Sequence, residues 1–205
     1  MEYIIYPNNM SESPQYTLSK FNVIKNIVSF SAATSGVVAI NCPVFLMSTI
    51  YYINAYVFLD LFFAKRDMVL HHLLVLSFFS AIKLHEYPED YKIYLMNNII
   101  RVEYSNIFYS GGPLLLHYLS TRKKWIEWLP KIKKLIYILF AITFFKYRIY
   151  DFSGKVIFQA DTYSPKNFTD FYAGFHLITT LWIFYSLNLY WLQLIIMKFH
   201  YLKRG

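Results

Sequence analysis

The sequence predicts an all-α fold, a polytopic membrane helix bundle of about six transmembrane helices. Three observations carry that reading. Of the 205 residues, 57% are hydrophobic and 21% aromatic, well above the apolar share of an ordinary water-soluble domain. Apolar runs long enough to cross hydrocarbon, about 17 to 25 helical residues each, recur along the whole chain. Lysine and arginine concentrate in every second connection, as the positive-inside rule requires of a multi-span protein. Mean hydropathy is only modestly positive. The 20 tyrosines lower it, and tyrosine is at home at membrane interfaces and between helices, so the value does not argue for solubility.

Taken in order, the expected spans are 21–40, 44–63, 67–84, 93–118, 132–150 and 171–197. Pro43 suits the tight turn between the first two, and Pro130 suits the start of the fifth. The fourth contains Gly111, Gly112 and Pro113, which predict one kinked span or a span followed by a short re-entrant piece. Residues 1–19 are expected to form an N-terminal cytoplasmic segment; they lack the basic start and continuous apolar core of a cleaved signal peptide. Residues 20–200 form the membrane domain, and 201–205 a basic cytoplasmic tail.

The net charge of +8 is distributed by side. One side holds Lys20, Lys65, Arg66, Arg122, Lys123, Lys124, Lys131, Lys133, Lys134, Lys198, Lys203 and Arg204. The other holds Glu86, Glu89, Asp90, Asp151, Asp161 and Asp170, offset by Lys92, Lys155 and Lys166. This alternation puts both termini in the cytoplasm, with the endoplasmic reticulum or a related endomembrane as the expected location. The basic stretch TRKKWIEWLPKIKK then reads as a topology anchor with interfacial Trp125 and Trp128, and no nucleic-acid partner is expected. Cys42 is the single cysteine, so neither an internal disulfide nor a thiolate zinc cluster can form. Asn167-Phe168-Thr169 is a glycosylation sequon on the non-cytoplasmic side, whereas Asn9-Met10-Ser11 lies on the wrong side. No phosphate loop or nucleotide motif is present.

Ionisable groups inside a span are costly, and they usually face the bundle interior, where they pair or serve a function. Asp60 lies near the end of the second span. Asp67 and His71 are four apart, share one helix face and are expected to bond, while His72 points about 100° away from His71. In the fourth span Asn97, Arg101, Tyr104 and Ser105 follow helical spacing. Glu103 points nearly opposite to Arg101, so each is expected to pair with another helix, with Asp60 a candidate partner for Arg101. His176, Thr180, Asn188 and Trp191 form a stripe on the last span; Thr180 and Asn188 read first as interhelical glue. Lys146 and Arg148 read as snorkelling toward the nearby loop. Two adjacent histidines close to two aspartates supply a base or nucleophile with an acidic orienting group, so His71, His72, Asp60 and Asp67 are the candidate catalytic residues. Adjacent helical histidines do not readily ligate one ion together, and no metal is expected.

The blocks D-L-x-x-x-x-R-D-x-x-L-H-H (60–72), E-Y-S-N-I-F (103–108), F-K-Y-R-I (145–149) and L-N-L-Y-W (187–191) resemble the TLC-domain family, in order and spacing, over roughly residues 20 to 200. The resemblance implies a bundle of about six helices with a lipid-accessible cavity. In ceramide synthases of that family, adjacent histidines support transfer of a fatty acyl group from coenzyme A to a sphingoid amine. It carries that role to His71 and His72. Ceramide synthases place an H-D-x-x-D block after the next helix, where this chain reads H-Y-L-S-T at 117–121, and the E-x-S-x-x-F and L-N-x-Y-W blocks are more similar to the smaller TLC-domain proteins. Arg101, Glu103, Ser105, Arg148, Asn188 and Trp191 are the candidate substrate-binding residues. Two functions follow as expectations: acyl-CoA-dependent acyl transfer to a sphingoid or other lipid, with no bound cofactor, or non-enzymatic lipid binding or sensing that regulates membrane composition. Membrane lipids are the expected partners, and self-association is left open.

Overall fold

The computed structural model describes residues 18–64 and 66–202, which contain seven α-helices, shorter 3-10 and π-helical segments and no strand. Lys65, most of the N-terminal segment and the end of the basic tail lie outside them, as does the Asn9 sequon. Helix α1 (Lys20–Asn41) starts where the Ser19 hydroxyl accepts from the Asn22 amide, 3.2 Å away. A 3-10 turn, Pro43–Phe45, leads into α2 (Leu46–Asp60), as Pro43 leads one to expect. Next come α3 (Arg66–Leu84), α4 (Glu89–Val102) and α5 (Tyr104–Ser120). Then α6 (Leu129–Phe144) carries Pro130 in its first turn, and α7 (Phe171–Leu202) starts with Asp170 accepting from the Ala173 amide at 2.7 Å.

Two expectations need correction. The fourth expected span is two helices, and the break falls at Glu103. There the backbone tightens, with the Glu103 amide donating to Ile100 and the Asn106 amide to Glu103 at 3.0 and 2.9 Å. Gly111, Gly112 and Pro113 instead lie inside an unbroken α5. Those glycines serve close approach. A Cβ on Gly111 would sit 2.8 Å from the Phe30 ring of α1, and one on Gly112 would sit 2.4 Å from Ile136 of α6. The fifth expected span begins earlier, at Leu129, and continues beyond Phe144 as π-helical turns, Phe145–Asp151 and Ser153–Ile157.

Helix α1 is the hub. Its small buried stripe, Ser29, Ala32, Ala33, Gly36 and Ala39, lets α5, α2 and α4 approach, and Ser29 bonds Ser110 of α5 at 2.7 Å. On the other side α3 packs on α2 and α7, and α7 packs on the π-helical turns. One continuous core joins these helices, with a small satellite of Leu116, Leu119 and Leu129 between α5 and α6. The outward side chains are also apolar, including Ile24, Ile27, Phe58, Leu59, Leu73, Leu135, Ile142, Phe175 and Ile196. Such a surface fits lipid as the solvent. Two helices, Lys20–Asn41 and Phe171–Phe199, are long and apolar enough to cross a membrane alone, and Met68–Leu84 is a shorter apolar helix.

Candidate functional site

The end of α2 and the second turn of α3 face each other across the short connection that contains Lys65. This brings Asp60 to His72. The His72 Nε2 lies 2.8 Å from Asp60 Oδ2, and the Lys25 Nζ from α1 lies 2.9 Å from Asp60 Oδ1. A carboxylate only accepts, so Nε2–H donates and the lone pair of a neutral imidazole sits on Nδ1. His72 Nδ1 is buried with no partner among the described residues. His71 points to α7, where its ring lies 5.1 Å from Trp191 and 5.4 Å from Phe184; its Nδ1 is buried and has no partner among the described residues. The two histidines are 3% and 2% exposed and Asp60 6%, so all three are interior groups.

A second polar group lies beyond Trp191. Arg148, in the first π-helical turn, donates from Nε to Ser105 Oγ at 2.8 Å, from Nη2 to Asn106 Oδ1 at 3.0 Å and from Nη1 to Asn188 Oδ1 at 3.3 Å. Glu103 Oε1 is 3.9 Å from Nη2, and Glu103 also accepts from Asn106 Nδ2. The guanidinium faces Trp191 at 5.7 Å and Phe144 at 5.4 Å. Trp191 therefore touches both groups, and together they run from α1 to α7 through the middle of the fold. With both imidazoles neutral, Lys25 and Arg148 balance Asp60 and Glu103, which makes burial of the set tolerable.

Several expected placements change. Arg148 does not snorkel: it is 2% exposed, because the widened π-helical turn directs it inward, whereas Lys146 is 56% exposed and paired loosely with Asp151 at 3.7 Å. Asp60 is not joined to Arg101; both its oxygens are taken by Lys25 and His72, and Arg101 lies half-buried beside Tyr104. The Asp67 side chain, and with it the Asp67–His71 bond, lies outside the described residues. Lys25 and Asn106 belong to the cluster but are absent from the sequence-derived set. Lys25 had a signal, since it is a charge inside an apolar run. Between α3, α4 and α7 lies a narrow apolar seam lined by Leu74, Val75, Phe78, Ile99, Leu181 and Phe184, too tight for a water molecule.

At the far end of the seam Thr180 bonds Ser77 at 3.3 Å, and Ser77 bonds His176 Nε2 at 3.0 Å, so Thr180 and His176 act as ties between α3 and α7. Among the described residues no three His, Cys, Asp or Glu side chains converge as a metal set.

A bundle with apolar flanks and a buried, charge-balanced centre defines an integral membrane protein. The TLC domain family profile matches residues 16–197, and the chain belongs to that family. Membership makes it a membrane protein of lipid metabolism or lipid sensing. Comparison with curated proteins and with solved structures gave no match.

Proposed function

We propose that the chain is a membrane-embedded acyltransferase that acylates a lipid, with His72 as general base. The observation that carries the reading is the 2.8 Å bond between His72 and Asp60, which orients the imidazole and leaves its other nitrogen unpaired. A base needs that arrangement. His72 Nδ1 takes a proton from an amine or hydroxyl as that group attacks the carbonyl of an acyl thioester such as acyl-CoA. The C–S bond then breaks, and the thiolate leaves with the proton. Lys25 keeps Asp60 ionised, and His71 stands beside it within the aromatic wall. The acyl chain enters by parting the seam between α3, α4 and α7. The positive-inside pattern puts the α2–α3 connection and both termini in the cytoplasm, where a water-soluble donor reaches the histidines, and the endoplasmic reticulum or a related endomembrane is the location.

Purified chain in proteoliposomes, given an acyl thioester and a panel of lipid amines, sphingoid bases included, tests this. Product is expected, falling by roughly 10²- to 10⁴-fold in a His72→Gln variant. Product unchanged in a His71→Ala, His72→Ala double variant overturns it. The second reading, a lipid-binding or sensing protein, is favoured by the closure of the cluster, since both imidazoles are sealed and the ionised groups already balance. It predicts lipid binding without turnover in the same vesicles.

A further inference from the structure

Asn188 is fully buried on α7, and its amide orientation is fixed by its neighbour. Arg148 can only donate, so Oδ1 faces Arg148 Nη1 at 3.3 Å and Nδ2 faces away from it. That Nδ2 has no acceptor among the described residues. Arg148 has its balancing carboxylate, Glu103, only at ion-pair distance, with neutral groups in direct contact. Its hydrogen-bond acceptors Ser105, Asn106 and Asn188 are neutral, and Glu103 stands off at 3.9 Å, beyond hydrogen-bond reach. The indole of Trp191 touches Arg148 on one side and His71 on the other, at 5.7 and 5.1 Å. An unpaired buried donor backed by a buried cation, with one indole between that cation and the His71 ring, suits a carbonyl oxygen as it gains charge. The large majority of buried side-chain donors are paired, so this one calls for an explanation.

We propose that the Asn188 amide, backed by Arg148, binds the carbonyl oxygen of an acyl group and holds it as an oxyanion during transfer. The proposal rests on the acyl-lipid reading above. As the acceptor's nitrogen or oxygen bonds to the carbonyl carbon, its proton passes to the imidazole and the carbonyl π pair moves to oxygen, where Asn188 Nδ2–H meets it. The pair returns as the C–S bond breaks, and the thiolate takes the proton from the imidazolium.

The test is isotope-edited infrared spectroscopy of the full chain in nanodiscs with a long-chain acyl methyl ester labelled with ¹³C at the carbonyl. In the wild type the labelled stretch is expected to move to lower frequency on binding. Asn188→Asp keeps an acceptor for Arg148 and removes the N–H, so the thermal midpoint holds, the shifted band disappears, and turnover in proteoliposomes falls about 10²-fold or more. Asn188→Leu, lacking both groups, loses the band as well. The same shifted band in both variants, or no shifted band in the wild type, overturns the proposal. A shifted band without turnover keeps the carbonyl site and overturns acyl transfer; turnover without the band does the reverse.

Discussion

Asp60 shows how one side chain organises the site. It joins α1, α2 and α3 through Lys25 and His72, and removing it would leave the buried His72 imidazole without its acceptor and the partly exposed Lys25 without its carboxylate. Asp60→Ala should therefore cost about 1–3 kcal/mol, as leaving a buried polar group unpaired does, read as a lowered thermal midpoint in detergent or nanodiscs. By contrast Ser29→Ala, which removes neutral bonds to Ser110 and Tyr56, should cost about 0.6 kcal/mol for each, the average for interhelical hydrogen bonds in membranes. Equal losses would show that Asp60 is ordinary glue. Much of this site is legible in sequence. Asp60, His71 and His72 stand out as ionisable groups in an apolar hairpin, and Glu103, Ser105, Asn188 and Trp191 as polar members of spans. Arg148 misleads because 3.6-residue periodicity fails beyond Phe144, where the helix widens to π-helical turns that no composition signal announces. Lys25 is a further charge inside an apolar run, which the candidate set leaves out.

At the scale of helices, glycines decide how close α1, α5 and α6 come. Gly112→Ala puts a methyl into Ile136 at 2.4 Å, a β-branched neighbour with little freedom to move, and overpacking of this kind costs about 1–3 kcal/mol. Gly154→Ala, with nothing within 4 Å of the added carbon, should be neutral or stabilise by about 0.5–1 kcal/mol. Thermal midpoints of the pair check the claim, and a tolerated Gly112→Ala contradicts it. The Gly-Gly-Pro run is visible in sequence, yet the helix break falls at Glu103 instead, Pro113 lies within a continuous α5 and the glycines are spent on packing. The connection after α3 carries a pH response. Tyr87, which donates to Ala173 O at 3.0 Å, has its phenol pushed up to about 12, first by burial and then by Asp170. A raised acid favours the folded state below its unfolded value near 10 and loses that contribution as pH climbs to about 12. Stability should thus fall over that window, and fall less steeply in Tyr87→Phe.

For the whole molecule, lipid as solvent accounts for both the apolar surface and the polar centre. The fold class, the helix order and the family are legible because composition, run length and charge alternation agree. The packed seam is not, because closure depends on how Phe78, Ile99 and Phe184 interdigitate across three helices. The sequon is resolved by its surroundings. Asn167 is buried and its Nδ2 donates to Asp161 O at 2.5 Å, so the acceptor nitrogen is engaged in the fold. No shift in mobility is expected on glycosidase treatment of the chain expressed in a eukaryotic cell, and a shift lost in Asn167→Gln would contradict this placement. Turnover of membrane lipid by the histidine pair, as proposed, is read most directly from lipid composition. Untargeted lipidomics compares membranes holding equal folded amounts of wild type and of a His71→Phe, His72→Gln variant, which preserves the aromatic wall and a donor to Asp60. A change in acyl-lipid composition present with wild type and lost in the variant is the expected result; the same change in both would contradict it.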